Sequence, residues 1–221
     1  MICLEALVAW SACAIRHEGW VSRAKASEQN VASTSQTVCS WMFPRPGERP
    51  EHRPDDSDSA IARDAIVWAQ EKFCNPSNDF EHNMHAVANM LCVDSRFFGI
   101  GCYLAQAYIA TKTAERLNAA QAALSAHVGD LGKRQVFELF YAGTLSIETK
   151  YGPSYINKFT DGAGNVVVWK GSTHVGYQDG RDIQAEVKRG KKVKLTVKGT
   201  VNDHTEFRGV KQTNLSRCVI L

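Results

Sequence analysis

The sequence predicts an α+β chain, with a helical module ahead of a small five-stranded β structure. Three observations carry this. Apolar residues recur at three-to-four spacing from about Ser59 to Ala126. Beyond His127 the texture changes to alternating β-branched and aromatic residues separated by glycine-bearing turns. The composition, 44% hydrophobic and 22% charged over 221 residues, is that of a globular protein. It excludes collagenous, wholly disordered and multi-spanning membrane chains, and the length allows one large domain or two small ones.

The first 14 residues are apolar and end in Ala12-Cys13-Ala14, which mimics a small-residue cleavage site. No positive charge precedes the run and Glu5 interrupts it, so a secretory signal is not expected. A bilayer span takes about 20 residues, more than this run supplies. A short helix or a disordered end is the expectation. Residues 22–60 are rich in Ser, Gln, Pro and charge, with Pro44, Pro46, Pro50 and Pro54 close together, and about 22–57 reads as a linker. Each proline lacks an N–H and pushes its predecessor out of the helical region. Residues 1–57 are therefore expected to be a poorly ordered N-terminal segment and linker, with Trp41-Met42-Phe43 as a local anchor.

Asp55, Asp56 and Asp58 supply an acidic, cap-rich stretch that opens the helical module, residues 58–126. Its first helix runs from Ser59 to Phe73, with Ile61, Ala65, Ile66, Trp68 and Ala69 on one face. Asn75-Pro76 stops it. A second helix is expected from Asp79 to Cys92, with Phe80, Met84, Val87, Ala88 and Leu91 inward. The third spans Arg96 to about Ala126 and carries Phe97, Ile100, Leu104, Tyr108, Leu117 and Leu124. Gly99 and Gly101 each weaken its first turns by up to about 1 kcal/mol relative to Ala, and small residues there let another helix approach closely.

Residues 127–221 form the β module. The first strand begins at Val136-Phe137-Glu138-Leu139-Phe140-Tyr141 and continues, bent at Gly143, through Ile147. Tyr151-Gly152 turns the chain into Tyr155–Phe159, and Asp161-Gly162-Ala163-Gly164-Asn165 turns it again into Val166–Lys170. An irregular segment to about Gly190 precedes a fourth strand, Lys192–Val201. A final hairpin turns near Arg208-Gly209 and returns as Gln212–Ile220. Periodicity alone admits any small all-β barrel or sandwich. Five strands, the first long and bent, in roughly 90 residues match the size and rhythm of an OB-fold barrel.

Several phrases occur together in this half: Tyr151-Gly152-x-Ser154-Tyr155, Asp161-x-x-Gly164-Asn165-Val166-x-Val168-Trp169-Lys170, Val197-Lys198-Gly199-Thr200-Val201, and Phe207-Arg208-Gly209-Val210-Lys211-Gln212-Thr213-Asn214-Leu215-Ser216-Arg217-Cys218. In combination they resemble the C-terminal OB-fold-like module of a largely uncharacterised family from bacteriophages and actinobacteria. The resemblance extends over roughly 60–221, taking in Ala65 to Trp68 and Asn83 to Arg96-Phe97-x-Gly99. It implies an OB-fold-like barrel of the kind that binds single-stranded nucleic acid. Some members begin with a zinc-ribbon-like segment. Here Cys3, Cys13 and Cys39 lack the paired spacing such a ribbon needs.

Residues 131–221 hold 15 Lys/Arg against 8 Asp/Glu, a net of +7, whereas residues 1–130 hold 11 against 15, a net of −4. A basic half points to an anionic partner. Single-stranded nucleic acid is held by rings that stack on bases and cations that neutralise phosphates. The residues assigned to that work are Tyr155, Lys158, Trp169, Lys170, Lys198, Phe207, Arg208, Lys211 and Arg217. Strand alternation sends Trp169 and Lys170 to opposite faces unless a bulge intervenes. Phe159 and Val168 are expected in the interior. The run Lys188, Arg189, Lys191, Lys192 and Lys194 reads first as a solvated approach to the fourth strand.

Catalytic chemistry is not indicated. His174, Asp179, Asp182 and Glu186 lack both metal-ligand spacing and a nucleophile, and His204 beside Asp203 and Glu206 reads as a turn residue. There is no G-x-x-x-x-G-K-[ST] motif, and Asp161-Gly162-Ala163-Gly164 lacks the later carboxylates of a calcium loop. The seven cysteines include no C-x-x-C, and His82-x-x-His85 suits a packed helix face, so free thiols in a reducing compartment are expected. The expected protein is a non-enzymatic, cytoplasmic nucleic-acid-binding accessory factor (in the host cytoplasm if phage-encoded), with no cofactor, metal or membrane. Its helical module would contact another protein or a second copy. The alternative is a structural adaptor module of a phage or host assembly.

Overall fold

The apolar run at the start of the chain has no polar face to offer water along most of its length, so it can be stable only inside a core. In the computed structural model, which describes residues 1–150, 152–178 and 180–221, that is where it lies. After a two-residue strand, β1 (Ile2–Cys3), helix α1 (Leu4–Glu18) buries Leu4, Leu7, Val8, Ala9, Ser11, Ala12, Cys13 and Ala14. The buried Ser11 hydroxyl is satisfied by donating to Leu7 O at 2.7 Å. Of the two expectations for the first residues, the helix is the one that forms, and the poorly ordered segment expected over 1–57 gives way here to a central helix.

The linker expected over 22–57 is corrected in the same way. Ser22 accepts from Lys25 N and starts α2 (Arg23–Gln29), which Asn30 ends in a left-handed conformation. Ser33 N–H donates to Gln36 Oε1 at 2.8 Å at the start of α3 (Thr34–Met42), whose Val38 and Trp41 are buried. The serines and glutamines that suggest a linker by composition are here the caps of two short helices. The longest helix-free stretch of this segment is the proline-dense one from Phe43 to Asp55, as the missing N–H groups require.

Helix α4 (Asp56–Lys72) opens on a reciprocal cap: Asp55 accepts from Ser57 N and Asp58 N, and Asp58 accepts from Asp55 N. The Asp58 carboxylate is buried and receives a bidentate guanidinium from Arg16 at 3.2 and 2.6 Å, tying α1 to α4. Helix α5 (Asp79–Ala88) is capped by Asn78, and β2 (Cys92–Val93) then pairs antiparallel with β1. Helix α6 (Phe98–Leu124) follows. A Cβ on Gly101 would lie 2.6 Å from Leu7 Cδ2, so the glycine is what lets α1 and α6 pack this closely. Not every expected core residue is inside: Phe80 is half exposed, Leu91 is 90% exposed, and Leu117 and Leu124 are exposed.

The chain divides into two compact units, Met1–Ala114 and Glu115–Leu221, with the boundary inside α6 rather than near residue 126. In the second unit the strands are β3 (Arg134–Thr149), β4 (Gly152–Thr160), β5 (Val166–Gly171), β6 (Tyr177–Gln178), β7 (Arg181–Asp182), β8 (Lys194–Phe207) and β9 (Val210–Ile220). A short helix, α7 (Ile183–Lys188), precedes β8. The turn expected at Tyr151 lies outside the described residues. β3 pairs with β8 through its first half and with β4 through its second, with a bulge between Tyr141 and Gly143. The ladders β4–β5, β5–β9 and β9–β8 complete the set, so the five-stranded sheet closes on itself as a barrel; β5–β9 is its one parallel pairing.

Leu139, Tyr141, Phe159, Val167, Trp169, Val197, Val201 and Leu215 fill the barrel, with Val175 and Ile183 closing over them. The β8–β9 hairpin turns through Arg208 and Gly209, at φ 53° and 79°, the left-handed pair that a two-residue hairpin needs. The tail of α6 belongs to this unit. Gln121 Nε2 donates to Gly164 O at 2.6 Å, Ser125 Oγ to Lys211 O at 2.6 Å, and Ala126 N to Asn165 Oδ1 at 2.7 Å.

Replacing the fully buried Leu7 by Ala is expected to cost about 2–5 kcal/mol in denaturant unfolding of the helical unit, while Leu91→Ala stays within about 0.5 kcal/mol. Burial pushes the thiols of Cys102 and Cys218 up to about 11, so little thiolate exists on either at pH 8. Iodoacetamide at that pH should alkylate the exposed Cys3, Cys39, Cys74 and Cys92 well before Cys102 and Cys218, read by peptide mass mapping.

Candidate nucleic-acid interface

Alternation along β4 turns Asn157 and Phe159 into the barrel and Ile156 and Lys158 out. Along β5 it turns Val167 and Trp169 in and Val168 and Lys170 out. The antiparallel register then sets Lys158 opposite Val168 and Ile156 opposite Lys170. On the other flank, Leu145 of β3 faces Ile156 and Gly143 faces Lys158. Phe207, at the end of β8, and Gln212 of β9 close the far side. Together they line a groove of about 460 Å³ with Ala142 and Thr144.

The groove has an apolar floor and a cationic rim. Lys158 and Lys170 are exposed, and neither is in an ion pair among the described residues. Phe207 is 59% exposed, with the Arg208 guanidinium 5.2 Å from its ring centre. A ring presented with a cation stacked beside it suits a flat, electron-rich partner and a nearby negative charge.

Of the nine residues assigned from sequence, Lys158, Lys170 and Phe207 meet in this groove, with Arg208 at its edge. The others do not. Trp169 is corrected: it is only 6% exposed and packs in the barrel core, because Val167 and Trp169 share the inward side of β5. Val168 is buried as expected, but on the outer side of β5, in a small cluster with Val166, Val210, Ile156 and Ala122 rather than inside the barrel. Tyr155 is half-buried with its ring edge-on to His174 at 4.9 Å. Lys198 is exposed on β8 between Val136 and Val219, on the β3–β8–β9 side of the barrel. Lys211 is exposed opposite Glu206, and its carbonyl accepts from Ser125. Arg217 is exposed at φ 50°, where the β8–β9 register shifts.

Leu145, Ile156 and Gln212 were not singled out by sequence. Ile156 was recoverable, being two residues from Lys158 on one face; Leu145 and Gln212 come in only through strand register.

Three of the residues considered for catalysis have structural partners. Asp182 caps α7 by accepting from Ala185 N at 2.8 Å. Hydrogen bonds from Lys191 and Arg181 hold the Glu186 carboxyl below its ordinary range. His204 stacks on His127 at 4.6 Å, and Asp179 lies outside the described residues. Within the basic run, Lys191 is paired with Glu186 and Lys194 with Glu138, while Lys188, Arg189 and Lys192 are exposed.

The floor is held from inside by the buried Asn157. Its Oδ1 accepts from Thr144 Oγ1 at 2.7 Å and Val175 N at 3.1 Å, and its Nδ2 donates to Thr173 O at 2.9 Å. The Tyr141 hydroxyl extends the chain by donating to Thr144 Oγ1 at 2.7 Å. One amide thus fixes β3, β4 and the segment after β5 relative to one another.

Trp169→Ala is expected to lower unfolding stability by about 3–5 kcal/mol in a denaturant titration, the signature of a core ring rather than of a binding platform. No protein-family model, no curated protein and no solved structure matches the chain.

Proposed function

We propose that the C-terminal barrel is an OB-fold and that it holds single-stranded DNA or RNA across the outer face of β4 and β5, without catalysing a reaction. The observation that carries this reading is the groove in which Lys158 and Lys170, in no ion pair among the described residues, stand beside the exposed ring of Phe207. Three further features support it. The strands follow the ring order β3-β4-β5-β9-β8. OB-folds take oligonucleotides on the face of their second and third strands and at the loop between the fourth and fifth, which here are β4, β5 and the Phe207–Val210 hairpin. The net charge of +7 over residues 131–221 favours a polyanion.

The cytoplasm, or that of a host cell, is the proposed setting; no helix among the described residues is long and apolar enough to cross a membrane. The exposed Leu145, Ile147 and Phe207 on the same side favour a second reading, an adaptor that docks a protein.

Fluorescence anisotropy with labelled single-stranded DNA and RNA, repeated across a salt series, separates the two. Binding should weaken linearly in log–log form as salt rises, and Lys158→Ala and Lys170→Ala should each reduce the slope by about 0.7. Phe207→Ala should cost about 1–3 kcal/mol with the slope unchanged. No binding at low salt, or binding indifferent to salt, overturns the nucleic-acid reading; salt-independent association with a protein partner supports the adaptor.

A further inference from the structure

In the helical unit, the β1–β2 ladder consists of two residue pairs, Ile2 opposite Val93 and Cys3 opposite Cys92. Val93 is fully buried and Ile2 packs against the helical core. Alternation therefore turns Cys3 and Cys92 together to the other face, where both are exposed free thiols. The Leu4 N–H donates to Leu91 O at 3.0 Å. This places Cys3 and Cys92 at a non-hydrogen-bonded position of the ladder, the kind in which facing side chains come closest, with Cα atoms about 4.5 Å apart. That separation is within the range a disulfide spans, and the two Cβ atoms leave on the same side.

We propose that Cys3 and Cys92 form a redox-modification site: a reversible cross-strand disulfide made by exchange with a small disulfide oxidant of the oxidised-glutathione type. One cysteine thiolate attacks the oxidant, forming a mixed disulfide and releasing one thiol. The facing thiolate then attacks the protein sulfur of that mixed disulfide and expels the second thiol. The two cysteine protons end on the two released thiols, and the oxidant takes up the electron pair lost by the protein.

The other thiols are poorly placed to compete. Cys13 and Cys102 are buried, and no strand ladder puts a cysteine opposite Cys39, in α3, or Cys74, just past α4. The bond would join the residue preceding the buried helix α1 to the segment leading into α6, so it would clamp the start of the central helix. The site does not depend on the nucleic-acid reading of the barrel.

The test is incubation of the full chain with oxidised glutathione at pH 8, followed by alkylation and non-reducing peptide mapping. The expected product is a monomer lighter by two hydrogens, with the Cys3 peptide joined to the Cys92 peptide, a higher thermal midpoint and full reversal by a thiol reductant. Cys3→Ser and Cys92→Ser should each abolish the cross-link, and Cys74→Ser should leave it intact. A stable glutathione adduct on Cys3 or Cys92 with its neighbour still alkylated, pairing with Cys39 or Cys74, or disulfide-linked dimers overturns the proposal.

Discussion

Closure of the five-stranded ring leaves each side chain of β4 and β5 only two destinations, the filled interior or the outer surface. Everything proposed for the second unit follows from which set goes where. Phe159, Val167 and Trp169 go in and are large enough to fill the barrel; Lys158 and Lys170 are thereby sent out, on neighbouring strands, above Ile156. The interior packing and the outer groove are one decision. Shifting β4 by one residue would bury Lys158 and expose Phe159; shifting β5 would bury Lys170 and expose Trp169.

The helical unit depends on a different constraint. α1 is almost wholly apolar and has to be surrounded, and α3, α4 and α6 supply the surroundings. α3 and α4 are each started by a local polar device, Ser33 with Gln36 and Asp55 with Asp58, rather than by composition at large. Asp58 shows the economy of the arrangement: one buried carboxylate accepts from Asp55 N at the start of α4 and takes the Arg16 guanidinium from the end of α1. Local capping and long-range docking are thus joined at a single residue.

How much of this was legible depended on whether the signal was local. The Arg208-Gly209 turn was readable because a tight hairpin demands left-handed backbone there, and the bend at Gly143 was readable as a break in a long β run. Alternation separated Trp169 from Lys170 but could not say which of them faced inward, since Val166, Val167 and Val168 are apolar on both sides of β5. The groove residues Leu145 and Gln212 are 67 positions apart and meet through two separate ladders, which no single-sequence pattern encodes. In the N-terminal segment the cap at Ser33 and Gln36 is local, but a reading by composition passes over it.

Ser125 gives the β unit a natural starting point that the change of sequence texture conceals. Its hydroxyl donates to Lys211 O on β9 and accepts from Val166 N on β5, so one side chain from the helix tail staples the parallel seam of the ring. The last turns of α6 are therefore a brace on the outer side of the β5–β9 seam and only by continuity a part of the helix that precedes it. A fragment excised at His127, where the strands begin to be readable, would leave that seam unstapled; the compact unit is the one that starts before the helix ends.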